Sequence, residues 1–138
     1  MKFPEKYIKR GEFTLHSGQK TNIEYDVNAM LTSNYYLRQI LDRISKSDHY
    51  VGIATGGAII ARTISLEKKS KFSMIKDGEL KGDFPSGKWI LIDDVTTTGA
   101  SLEEAVKIVG KNPEEIFVVL DRRTKNEKPH VSSFYDTY

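Results

Sequence analysis

Apolar residues are distributed along the chain in two alternating rhythms. Short continuous apolar runs that end in small or acidic residues read as buried strands: "YVGIA", "KFSMI", "WILID" and "EIFVVLD". Between them the spacing becomes helical. Leu37, Ile40, Leu41 and Ile44 recur at that spacing after Ser33, an N-cap residue type, and predict an amphipathic helix ending near Lys46. "AIIARTISLEKK", apolar mostly on one side, predicts a second helix after the turn "TGG". "SLEEAVKIVG" predicts a third, with Leu102, Ala105, Val106 and Val109 on one face and Gly110 as its stop. Upstream, "FTLHSGQKTNIEYDVN" places two short β-prone pieces around the turn-former "SGQKTN" and predicts a hairpin-like entry. "KDGELKGDFPSGK" is polar and glycine-rich with no period, and reads as an irregular connection.

Strands that alternate with helices, each strand a continuous apolar run, predict an α/β fold: a parallel sheet flanked by helices on both faces. In such sheets ligands sit beyond the carboxyl ends of the strands. Three loops leave strands at that edge: "TGG", "DDVTTTGAS" and "DRRTKNE". The length of 138 residues suits one compact domain.

Composition removes several function classes. Net charge is only +2, from 21 Lys and Arg against 19 Asp and Glu, so charge gives no indication of a nucleic-acid partner. Cysteine is absent, which excludes disulfides, thiolate chemistry and Cys-based zinc sites. No apolar run approaches the roughly 20 residues that span a bilayer. Met1 to Arg10 carries charges without an apolar core, so it does not read as a signal peptide, and a cytoplasmic location is expected. His16, His49 and His130 are scattered and build no catalytic triad or zinc constellation. Neither a P-loop nor a G-x-G-x-x-G fingerprint occurs.

"WILIDDVTTTGAS" carries the chemistry. Thr96, Thr97, Thr98, Gly99, Ala100 and Ser101 end at the predicted start of a helix. Exposed amides, hydroxyls and a helix dipole there make a phosphate cradle, and Gly99 lets the backbone turn. Helix capping alone needs one hydroxyl, whereas this loop has four in six positions. Asp93 and Asp94 lie where the chain is expected to leave the sheet, free to turn toward the crevice. Two carboxylates would repel a lone phosphate, but they suit a ligand that also carries vicinal hydroxyls. A sugar phosphate meets both requirements.

This stretch resembles the phosphoribosyl pyrophosphate (PRPP) motif of type I phosphoribosyltransferases. Flanking segments resemble the orotate branch of that family: "EFTLHSGQKTNIEYDV", "GIATGGAIIA" and "VVLDRRTK", in order over most of residues 12–124. The resemblance implies a single domain over 1–138, with an N-terminal hood-like segment over about 1–31 and a Rossmann-like core over about 32–124. It implies transfer of ribose 5-phosphate from PRPP to a base, orotate first, with release of pyrophosphate. Asp93 and Asp94, on the ribose hydroxyls, and Lys76 would be the catalytic groups, and Thr96 to Ser101 would hold the 5′-phosphate. Thr55, Gly56, Gly57, Lys76, Lys81 and His16 would meet pyrophosphate. Arg122, Tyr25 and Thr97 would meet the base, with Arg122 on the orotate carboxylate. Mg²⁺ would be bound mainly through PRPP, with no metal site of the protein's own, and the resemblance implies a homodimer.

The sequence also departs from the family pattern. Its connection "KDGELKGDFPSGK" is short and lacks a histidine, Ile75 stands where an arginine is usual, and Lys81 is its only mid-loop cation. Glu24 occupies a position where a base-stacking aromatic is common. A purine base and a PRPP-binding regulatory protein therefore stand as alternatives. A phosphoacceptor receiver domain is disfavoured, because its acidic pair follows the first strand and Asp93 and Asp94 come too late.

Overall fold

The computed structural model describes residues 2–15 and 18–138. A single 3-10 turn at Glu5–Tyr7 leads into β1 (Ile8–Thr14) and β2 (Lys20–Tyr25), an antiparallel ribbon in which Ile8 faces Tyr25 and Thr14 faces Lys20. The hairpin expected from the sequence is present and begins earlier, at Ile8. A short helix α1 (Val27–Met30) follows, with the Asp26 carboxylate accepting from the Ala29 amide at 3.1 Å. Helix α2 (Asn34–Leu41) has Ser33 at its N-cap but stops well short of Lys46. Its last turn tightens: Arg43 N donates to Ile40 O and Ile44 N to Leu41 O, three residues back instead of four. Ile44 is buried all the same, and this explains why the apolar spacing outran the helix.

The rest of the chain builds one sheet. β3 (His49–Ile53), α3 (Gly56–Lys68), β4 (Lys71–Lys76), β5 (Glu79–Lys81), β6 (Trp89–Thr96), α4 (Ala100–Val109), β7 (Glu115–Asp121) and β8 (Ser132–Asp136) succeed one another. The six strands are ordered β5-β4-β3-β6-β7-β8. All neighbours are parallel except β5, which pairs back on β4. The α/β architecture is as expected, with two differences. The connection after β4 is not wholly irregular, because it folds back as β5, and an unexpected strand, β8, carries the sheet past residue 124.

Residues Trp89 to Asp93 are all buried, as a strand covered on both faces requires. Successive side chains point to opposite faces. Ile90 and Ile92 join the core with α2 and α3, whereas Trp89 and Leu91 join the core with α4. Burial of one such side chain stabilises by about 1.5–3 kcal/mol. Surface ion pairs such as Arg38–Glu67, which ties α2 to α3, contribute at most about 1 kcal/mol each. The central strands, not the surface charges, therefore fix the frame.

The segment between β5 and β6 is fastened at the amino-terminal edge of the sheet. Ser73 Oγ donates to Asp83 O at 2.5 Å, Lys111 Nζ to Gly87 O at 2.9 Å, and Lys88 N to Asp48 Oδ2 at 3.3 Å. Pro85, in the same segment, is buried. The carboxyl ends of β3, β4, β6 and β7 open on the opposite edge, where the cleft lies.

Candidate active site

A cleft of about 610 Å³ sits at that edge, between the sheet and the β1–β2 ribbon. Its floor is β6. The strand does not end at Asp93, as "WILID" implies, but continues through Asp94 to Thr96, so neither aspartate is leaving the sheet as expected. Both line the cleft nonetheless. Asp93 Oδ1 accepts from Asp94 N at 2.8 Å, and Asp94 Oδ1 accepts from Val95 N at 2.7 Å. Each carboxylate thus satisfies a neighbouring amide with one oxygen.

The two acids differ in environment. Asp93 is buried, at 6% exposure, whereas Asp94 is half-buried. Burial, then the Asp94 charge and a hydrogen bond with Asp94, hold the Asp93 carboxyl well above the usual carboxylate range. A raised folded-state value means that protonated Asp93 stabilises the fold. That contribution is fully present below the ordinary value of 3.8 and is lost as pH rises through the raised one. Asp93→Asn is therefore expected to stabilise the unliganded chain at pH 7, by an amount that shrinks toward pH 4. Urea midpoints at the two pH values check this, and a loss of stability at pH 7 would contradict it.

The loop after β6 is shaped by its own hydroxyls. Thr96 Oγ1, buried, accepts from Gly99 N at 3.0 Å, and Thr98 Oγ1 accepts from Ala100 N at 3.2 Å. Gly99 has φ 85°, and a Cβ there would lie 2.9 Å from Pro129 Cδ. The amides in the first turn of α4 have no intrahelical partner, which is the arrangement that suits an anion. Thr97, Thr98, Ala100 and Ser101 line the cleft beside it.

Thr55, at the turn after β3, lines both this cleft and an adjoining cavity of about 360 Å³. Gly56 and Gly57 line neither cavity. They form the buried start of α3. A Cβ on Gly57 would meet Ile92 O at 2.4 Å, and one on Gly56 would meet Asp94 Oδ2 at 2.7 Å and Asn28 Oδ1 at 2.5 Å. Both glycines let α3 press against β6 and seat Asp94.

Lys76 lines the smaller cavity together with Asp77, Ser101 and Glu104. Lys81 does not reach it. Exposed on β5, it pairs with Glu79 at 2.7 Å and lines neither cavity. Lys81→Ala should change kcat/KM less than about twofold, the scale of an exposed ion pair, whereas Lys76→Ala should cost about tenfold or more. Initial rates over a PRPP series separate the two. His16 lies outside the described residues.

Arg122 reaches from the end of β7 to the ribbon. Its guanidinium stands 4.8 Å from the Tyr25 ring centroid, and its Nη2 lies 3.4 Å from Thr21 Oγ1. The Arg122 amide donates to Thr96 O at 2.9 Å, which couples it to the loop after β6. Its neighbour Arg123, to which the sequence alone assigns no role, is buried and forked onto Asp121 at 2.9 Å through both Nε and Nη2. Arg123 also donates to Glu127 O, Pro129 O and Asn126 Oδ1, and so secures the loop that packs on Gly99. The one signal in the sequence was "DRR": paired arginines directly after an acid that ends a strand.

Among the described residues, no group of three or more His, Cys, Asp or Glu side chains is placed to hold a metal ion. No helix among them is long and apolar enough to cross a membrane.

The fold is shared with proteins of known structure. Orotate phosphoribosyltransferase from Aeropyrum pernix superposes with a TM-score of 0.80 over 95% of this chain and 89% of that one, at 24% identity. Adenine phosphoribosyltransferase from Leishmania donovani superposes at 0.67 over 96% and 77%, at 15% identity. The fold is that of the type I phosphoribosyltransferases. No family model matches the sequence. Orotate phosphoribosyltransferase from Methanothermobacter thermautotrophicus is 31% identical over 131 residues, which cover 83% of this chain and 73% of the relative. The chain belongs to the orotate phosphoribosyltransferase family.

Proposed function

We propose that the protein transfers the 5-phosphoribosyl group of PRPP to orotate, giving orotidine 5′-monophosphate and pyrophosphate. The observation that carries this reading is one cleft in which Asp93 and Asp94 run directly into the Thr96–Ser101 loop while Arg122 stands on the wall. The 5′-phosphate lies on the amides of α4, and the ribose hydroxyls donate to the two aspartates. That fixes the sugar at both ends. The bond from ribose C1 to the pyrophosphate oxygen breaks, its electron pair leaving with pyrophosphate, and positive charge grows on the ring. N1 of orotate forms the new bond to C1 from the opposite face, and the proton it carried passes to water. Asp94, the more open of the two acids, stabilises the growing charge. Lys76, the one lysine among the described residues to line either cavity, meets the departing pyrophosphate.

Arg122 is a planar fork suited to a carboxylate, and it favours an acidic pyrimidine over a neutral purine. Arg122→Ala should raise KM for orotate by at least about tenfold while KM for PRPP stays within about twofold. Loss of orotate absorbance on nucleotide formation provides the assay, and equal effects on both substrates would remove Arg122 from the base subsite.

Mg²⁺ and a homodimer complete the proposal. Two adjacent carboxylates without a third ligand fit an ion held chiefly by substrate oxygens. Bound there, Mg²⁺ would offset pyrophosphate charge. A second subunit would add the cations that Lys81 does not provide, and the mass in solution tests it. We place the enzyme in the cytoplasm, with residues 1–31 as the hood over the cleft and about 32–124 as the core, which β8 extends.

A further inference from the structure

The wall that carries Arg122 also carries a carboxylate that the reaction leaves unused. Glu24 stands in β2 beside Tyr25, half-buried, and lines the cleft. Its cross-strand partner Lys9 is engaged elsewhere, with Asp26 at 3.2 Å. Among the described residues Glu24 forms no ion pair, whereas the exposed acids Glu5, Glu67 and Glu79 each do. A carboxylate that lines a cleft and has no ion-pair partner is available to accept from a ligand N–H.

The pairing of charges restricts what the donor can be. Arg122 calls for an anionic group on the base, while Glu24 repels one and calls for an N–H. A neutral purine satisfies the second and leaves Arg122 unmet. A carboxylate without a ring N–H does the reverse. Orotate offers both, because its imide N3–H lies across the ring from C6, which carries the carboxylate.

We propose that Glu24 is a specificity-determining residue whose carboxylate accepts the imide N–H of the pyrimidine while Arg122 holds the carboxylate on the opposite edge. This rests on the assignment of orotate as the base. Sites built to hydrogen-bond a substrate N–H reject analogues that lack it far more strongly than apolar pockets do.

The test compares orotate with 3-methylorotate, in which a methyl group replaces that hydrogen, on the wild type, Glu24→Leu and Glu24→Gln. The wild type should prefer orotate strongly. Glu24→Leu should lower kcat/KM for orotate about tenfold or more, mainly through KM, leave KM for PRPP unchanged, and shrink the preference to a few-fold. Glu24→Gln, which keeps an acceptor oxygen, should recover part of the loss, and a merely structural role would not produce that order. If both variants keep the wild-type orotate kinetics and discrimination, the role of Glu24 is overturned while the enzyme assignment stands. If the wild type forms no orotidylate yet uses another base, the base assignment fails and this inference fails with it.

Discussion

Asp94→Asn should lower kcat/KM for orotidylate formation by about 10²–10³-fold, a loss of about 2.7–4 kcal/mol in transition-state stabilisation. The chain should unfold at nearly the same urea concentration as the wild type. The asymmetry follows from how the two carboxylate oxygens are used. Asp94 Oδ1 accepts from Val95 N at 2.7 Å, and asparagine keeps an oxygen for that bond. The negative charge beside the ribose is lost. Asp93 is different: buried and held toward its neutral form, it contributes less charge and more cost to the fold. Steady-state rates and urea melts on the two asparagine variants separate charge from structure. A fall in stability as large as the fall in rate for Asp94→Asn would make its role structural.

The second large effect is expected far from the ribose. Arg123→Met should destabilise the chain by about 3–5 kcal/mol, because it leaves the fully buried Asp121 carboxylate without its partner. Adding Asp121→Asn removes the stranded charge and should restore part of that stability. PRPP affinity should stay low in the double variant. Arg123 also holds the Glu127 and Pro129 carbonyls, and Pro129 packs on Gly99 in the loop proposed to hold the 5′-phosphate. Denaturant midpoints and PRPP titrations on the single and double variants give the comparison. Full recovery of PRPP binding in the double variant would confine Arg123 to charge compensation.

The contrast between these residues shows what a single sequence reveals. Residues 90–92 and 116–120 are continuous apolar runs because both faces of their strands are covered, and a local rule suffices to find them. The cleft-lining segment after β6 was legible for a similar reason, since acids, hydroxyls and glycine lie side by side in "DDVTTTGAS". What was missed depends on contacts distant in sequence. β8 is short and half polar, and only its pairing with β7, Phe117 opposite Ser132, makes it a strand. Gly56 and Gly57 looked like a turn, but the carbonyl that requires Gly57 belongs to Ile92, in another strand. Lys81 looked like a loop cation until β5 folded back and gave it Glu79. Arg123 could pass for a surface charge because its carbonyl acceptors are brought together by a loop with no pattern of its own.

The most direct test of the central claim is the mass of the nucleotide formed from PRPP and Mg²⁺ when orotate, uracil, adenine, guanine, hypoxanthine and xanthine are offered together. A base subsite with Arg122 on its wall predicts orotidine 5′-monophosphate as the single product, absent from the Asp94→Asn reaction. A purine nucleotide, or no nucleotide alongside measurable PRPP binding, would contradict it.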